Sequence, residues 1–119
     1  MQTIQVKTTS IDDFIAHRSD IDPKLVKIDA EGHDFEVLLG MRNTVAAHQT
    51  VILIECNSNE LLELCAEWNY SIFAFTCDPA TIKMTFRQLL SLEDLHNYWT
   101  KMLFLTPRHL LPAFLEYCS

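Results

Sequence analysis

Two short apolar runs, Leu25 to Asp29 (LVKID) and Val51 to Cys56 (VILIEC), flank a stretch with helical periodicity. No other feature constrains the fold as much. Each run reads as a strand. Between them Leu38, Met41 and Val45 recur at helical spacing, with Phe35 and Ala46 flanking the same face. One helix is therefore expected from about His33 to Ala47. Asp34 and Glu36 in its first turn complement the helix dipole. Strand, helix, strand is the unit of an α/β layer with a mostly parallel sheet and right-handed crossovers. The unbroken apolar run after Thr50 predicts burial on both faces. Both strands end in a carboxylate, Asp29 and Glu55, and ligands in such sheets bind beyond the carboxyl ends of the strands. Neighbouring strands lie about 5 Å apart, so the two carboxylates can approach one another.

The remaining elements follow the same logic. Ile4 and Val6 alternate with polar residues, which predicts a half-exposed strand over Gln2 to Thr8. Ser10 resembles a cap, with Asp13 as its acidic partner, for a short helix from Ile11 to about His17. Asp12 reads as a first-turn helix acid without chemistry. Asp20, Asp22 and Pro23 make a turn. Asn57 or Ser58 caps a helix in which Leu61, Leu64, Cys65 and Trp68 share one face. Tyr70 to Phe75 is a third buried strand, and Asp78-Pro79 turns the chain. Ile82 to Phe86 is a short strand or an extended segment. Ser91 and Asp94 again resemble a cap and its partner. Met102 to Leu105 is a fourth buried strand, and Arg108 to Tyr117 a terminal helix interrupted by Pro112. Trp68, Tyr70, Phe73 and Phe75 read as core. Lys27 reaches toward solvent or pairs with a carboxylate. His17, His48, His96 and His109 read as surface residues. Residues 1–119 form a single domain in this view.

Composition removes several function classes. The net charge is -7, and the nine Lys and Arg are scattered, which argues against nucleic acid as a partner. No apolar run is long enough to span a membrane, and no secretory signal opens the chain. A cytoplasmic location is expected. Cys56, Cys65, Cys77 and Cys118 form no CxxC pair, so reduced, buried thiols are expected rather than disulfides or zinc ligands. Gly32 and Gly40 are the only glycines among 119 residues. A phosphate-cradling loop needs several close together, so neither a P-loop nor a dinucleotide fingerprint is present.

The segment Leu25 to Met41 (LVKIDAEGHDFEVLLGM) resembles the part of FkbM-type methyltransferases that reads roughly I-K-I-D-V-E-G-x-E-x-x-V-L-x-G. Thr9 to Asp13 is similar to the family's upstream T-L-D segment. Val51 to Glu55 resembles its next strand, and Met102 to Pro107 its closing apolar strand. The resemblance implies a partial class I methyltransferase (Rossmann-like) sheet, strands four to seven with flanking helices, in the order 4-5-7-6 with the last strand antiparallel. It also implies S-adenosylmethionine (SAM) as cofactor and a hydroxyl of a sugar or natural product as acceptor. The family's first strands and its D-x-G-x-N-x-G loop have no counterpart here. The chain is accordingly expected to be a C-terminal half, inactive alone. Leu25 to Asp29 would then be an unpaired edge, open to self-association or to a partner chain.

On that resemblance Asp29 stands where the fold faces the transferred methyl group and the acceptor. Glu31 and His33 follow in the loop and at the helix start, and Glu55 ends the next strand. These four are the candidate catalytic residues; no cofactor-binding or metal residue is assigned. A carboxylate or imidazole there takes the proton of an acceptor hydroxyl. Alternatively the carboxylates hold a divalent cation that orients the hydroxyl and lowers its pKa. Glu31 serves equally well as a helix-dipole acid and Glu55 as a partner for backbone in the sheet crevice, while His33 reads first as a packing residue at the helix start. Two other functions remain open at this level: a non-enzymatic interaction domain or inactive gene product, and a carboxylate metal hydrolase using Asp29 and Glu55.

Overall fold

The computed structural model describes residues 2–118. In chain order its elements are α1 (Ile11–Ala16), β1 (Leu25–Ile28), α2 (Asp34–Leu39), α3 (Arg42–His48), β2 (Val51–Ile54), α4 (Asn59–Trp68), β3 (Tyr70–Cys77), β4 (Met84–Leu89), β5 (Leu103–Pro107) and α5 (Leu111–Leu115). Short 3-10 turns occupy Leu92–Leu95 and Arg108–Leu110. The strands form one sheet in the order β1-β2-β5-β3-β4. β1 and β2 are parallel, with Leu25 opposite Val51 and Ile28 opposite Ile54. β5 runs antiparallel to both of its neighbours, β2 and β3, and β4 runs antiparallel to β3.

The order β1-β2-β5-β3 matches the 4-5-7-6 arrangement that the resemblance implies. The expected mostly parallel sheet is corrected, because the sheet is mixed and β1 with β2 is its one parallel ladder. β5 is antiparallel, as the resemblance implies for the last strand, and connection length explains β4. A parallel neighbour needs a crossover of a dozen or more residues. The short turn at Asp78 allows β3 and β4 only a hairpin, and β4 is an added edge strand that starts two residues later than expected.

Strand alternation builds the core. Ile28, Ile52, Ile54, Ile72, Ala74, Leu103 and Leu105 point to one side, where Leu38, Val45, Leu61, Leu64 and Cys65 of the helices and Met41 between α2 and α3 meet them. Full burial of each such aliphatic side chain contributes roughly 1.5–3 kcal/mol. On the opposite side α5 lays Phe114 over Phe73, Phe86 and Phe104, with ring centroids 5.3, 6.3 and 6.3 Å away. That face is open toward β1 and β2. Val51 and Leu53 are only half-buried there, so the expected double burial of β2 does not hold.

Other local expectations change too. Residues 2–10 form no strand, and Ile4 and Val6 are 80% and 73% exposed. Alternation without a partner ladder does not make a strand. The helix expected from His33 to Ala47 is two helices, α2 and α3, broken at Gly40 and Met41. The break has a tertiary cause. The Asp12 amide donates to the Gly40 carbonyl at 2.9 Å. The Asp12 carboxylate accepts from the Asn43 amide at 2.9 Å, the Thr44 amide at 2.7 Å and the Thr44 hydroxyl at 2.8 Å. Asp12 thus caps α3 from outside it. A Cβ on Gly40 would lie 3.3 Å from the Ser10 Cβ, so glycine lets the two segments meet.

Ser10 caps α1 by accepting from the Asp13 amide at 3.0 Å, and Ser58, not Asn57, caps α4. Ser91 and Asp94 form a reciprocal capping box. α5 is shorter than expected, and Pro112 sits in its first turn, where a missing N–H costs nothing. His48 is partly buried, with Nδ1 2.8 Å from Asp22. Phe75 and Ala46 are exposed rather than core, and Lys27 is exposed on the edge strand. All four cysteines are free, but only Cys65 is buried. Among the described residues no helix is long and apolar enough to cross a membrane.

Candidate functional site

The parallel pairing of β1 and β2 ends level, at Ile28 and Ile54. One residue further along each strand, Asp29 and Glu55 therefore emerge side by side. The Glu55 carboxyl is raised above the ordinary glutamate value. Loss of water contact raises it most, followed by the negative charge of Asp29 and a hydrogen bond shared with it. Lys101 opposes the shift, with Nζ 3.8 Å from Glu55 Oε1. A negative neighbour favours the protonated form of a carboxyl. Glu55 is thus the carboxyl of the two whose surroundings favour taking up a proton.

A tight turn leads from Asp29 into α2. The His33 amide donates to the Ala30 carbonyl at 3.2 Å, and both central residues, Glu31 and Gly32, have positive φ (48° and 92°). Positive φ at both positions is the mark of a type I′ turn. A Cβ on Gly32 would meet nothing within 4 Å, so glycine is required there by conformation alone.

Asp34 organises this turn. It is buried, its Oδ1 accepts from the Ala30 amide at 2.7 Å, and its Oδ2 accepts from the Glu55 amide at 3.1 Å. One carboxylate therefore ties the loop after β1 to the end of β2 and fixes where Asp29 and Glu55 leave the sheet. Sequence reasoning assigned Asp34 only to the helix dipole. The available signal was the family pattern, which carries an acid two residues after its glycine.

Of the expected site residues, the structure brings Asp29 and Glu55 together. Glu31 joins Glu55 in lining a cleft of about 280 Å³, with Gly32, Phe35, Asn57 and Ser58. His33 is exposed at the start of α2, makes no side-chain cap bond and does not line that cleft. Among the described residues no group of three or more His, Cys, Asp or Glu side chains could hold a metal ion. Asp34, a further acid on the cleft, has both oxygens committed to backbone amides.

Of the cysteines, Cys65 belongs to the core and Cys56 to the cleft wall. Burial, with a smaller effect of Cys56, pushes the Cys65 thiol up to about 12, which makes it an inert core residue. Cys56 borders the cleft with Sγ 3.5 Å from the Ser58 hydroxyl.

Residues 1–98 match the family model of the Methyltransferase FkbM domain. That stretch includes β1, β2 and the whole carboxylate site and stops before β5. No curated protein and no solved structure matches the chain.

Proposed function

Because the chain belongs to the FkbM methyltransferase domain family, we propose that it provides the acceptor side of a SAM-dependent O-methyltransferase acting on small-molecule hydroxyls. The observation that carries this reading is the Asp29–Glu55 pair at the ends of β1 and β2, with Glu55 raised by its surroundings. In our reading an acceptor hydroxyl approaches the pair and passes its proton to a carboxylate oxygen. Asp34 acts as a positioning residue through its two amide contacts. Glu31 contributes charge to the cleft wall, and His33, exposed at the start of α2, has no part in it. Proton uptake by a carboxylate pair needs no metal.

SAM brings an adenosine and a sulfonium that must be seated at close range. The described residues do not fit that need. Gly32 is shaped by its turn, with no neighbour near an added Cβ, and Gly40 is packed against Ser10. Neither lets backbone close on a nucleotide. The residues described here therefore act on the acceptor and not on the donor, and we propose that the chain alone does not turn over. The four free thiols agree with a reducing compartment such as the cytoplasm.

Calorimetric titration with SAM tests this reading, on this chain and on the chain extended by any coding sequence in frame before it. The expected result is no saturable binding to the chain alone, binding to the extended chain, and loss of methyl transfer in its Asp29→Asn and Glu55→Gln variants. Micromolar SAM binding by the chain alone would contradict the division of labour. Full methyl transfer by both variants would remove the carboxylate pair from the reaction. A non-enzymatic interaction domain is the second reading, favoured by the open sheet face beside β1.

A further inference from the structure

Phe75, Met84 and Trp99 are large and apolar, yet 49%, 57% and 61% exposed. Together with Met102 and Phe104 they line a groove of about 440 Å³ on the sheet face away from α2, α3 and α4. Thr100 and Lys101 supply its only polar lining. Phe75 and Phe104 meet edge to face at 6.2 Å, so the walls are flat aromatic surfaces. Single exposed apolar residues are ordinary, but an open apolar groove with a few polar groups has the lining of a small-molecule site.

The groove lies at the same end of the sheet as the carboxylates. Leu103 is opposite Ile54 and Phe104 opposite Leu53, so the next residues outward, Met102 and Glu55, are neighbours. Met102 and Phe104 line the groove, while Glu55 lines the cleft at the end of β2. Lys101, on the groove's rim, reaches to 3.8 Å from Glu55.

We propose that this groove seats the flat apolar body of the acceptor and delivers its hydroxyl to Asp29 and Glu55, so that the acceptor is an aromatic alcohol rather than a bare sugar. The inference rests on the acceptor-side reading above and names the substrate class of that site. The chemistry agrees with the geometry. A phenolic hydroxyl ordinarily titrates near pH 10, about as tyrosine does, far below an aliphatic alcohol. A carboxylate pair can therefore accept its proton: the O–H bond of the phenol breaks, a new O–H bond forms on a carboxylate oxygen, and the phenolate oxygen is left beside the Lys101 ammonium. The ring stacks on Trp99 and Phe75.

Equilibrium dialysis of the whole chain with 2-naphthol tests this, with methyl glucoside as the hydroxyl compound lacking an apolar body. The expected result is saturable binding of 2-naphthol at one site, weakened at least tenfold in both Trp99→Ala and Met84→Ala, and no saturable binding of the glucoside. The two side chains are mostly exposed, and thermal melts of the variants verify that they remain folded. Unchanged naphthol affinity in both variants, or glucoside binding as tight as that of naphthol, would overturn the proposal. Naphthol binding is measured without SAM, so it can fail independently of methyl transfer. Methyl transfer to sugar hydroxyls with no naphthol binding would sink the groove alone. Naphthol binding in an extended chain that binds SAM but never transfers methyl would sink the methyltransferase reading alone.

Discussion

Glu55 is held between opposing influences, and its titration reports which of them governs the site. Loss of water contact and the charge of Asp29 favour its protonated form, while Lys101 favours the charged form. Replacing Asp29 by Asn removes a negative neighbour, so the Glu55 carboxyl should titrate at lower pH in that variant. Carbon-detected NMR of the side-chain carboxyl across pH 3 to 8 measures this directly. An unchanged or higher midpoint would show that Asp29 and Glu55 do not interact. The sign for stability follows from the same shift. A carboxyl raised in the folded state binds its proton more tightly there than in the unfolded chain. Its contribution is therefore full below the unfolded value and is lost as pH rises through the folded one. Asp12 behaves in the opposite sense. Burial pushes its carboxyl up, but the Asn43 amide, the Thr44 hydroxyl and the Thr44 amide together outweigh this and hold it below the usual aspartate value. Its contribution is present above the unfolded value and is lost as pH falls through the folded one.

At the scale of elements, Asp12 is where α1 is joined to α3. Asp12→Ala strips three hydrogen bonds from the start of α3, and the loss of a good cap costs about 1–2 kcal/mol. Urea denaturation should show the midpoint falling with little change in slope; an unchanged midpoint would mean that α3 is capped well enough by water. This junction also marks the limit of what was legible in the residues. Leu38, Met41 and Val45 were correctly expected to be core, and all three are buried. Their spacing runs on smoothly across Gly40, so periodicity gave no sign of a break whose cause sits about thirty residues upstream. The same limit explains Asp34, whose partners Ala30 and Glu55 are set by the pairing of β1 with β2. Caps, by contrast, are local, and Ser10 and the Ser91–Asp94 box were legible at once. The strand order became legible only through the family resemblance, because apolar runs do not encode which neighbour a strand takes. Phe75 reads as core in sequence and is exposed, because a sheet face is apolar whether or not anything covers it.

The whole molecule is flat, 47 by 43 by 23 Å, with a radius of gyration of 15.9 Å. A compact chain of this length would measure about 13.5 Å. The excess reflects an exposed N-terminal segment and a sheet covered fully on one side only. At one edge of the sheet, β1 pairs only with β2 and presents Leu25 at 61% exposure. An exposed edge of this kind tends to pair with another strand. Sedimentation velocity should therefore show association that grows with concentration, and Leu25→Lys, which adds a charge to the edge, should reduce it. A monomer that is independent of concentration would contradict that view of the edge. The placement of β5 bears finally on how the sheet comes together in time. β5 follows every other strand in the chain, yet it lies between β2 and β3. Ile52 and Leu105, ladder partners, are roughly fifty residues apart, a separation whose closure slows folding. On a ribosome the β1–β2 pair and the β3–β4 hairpin would emerge as two unjoined pieces, each with a bare edge. β5, synthesised after the other four, makes them one sheet, so chaperone demand should be greatest in the interval before it appears.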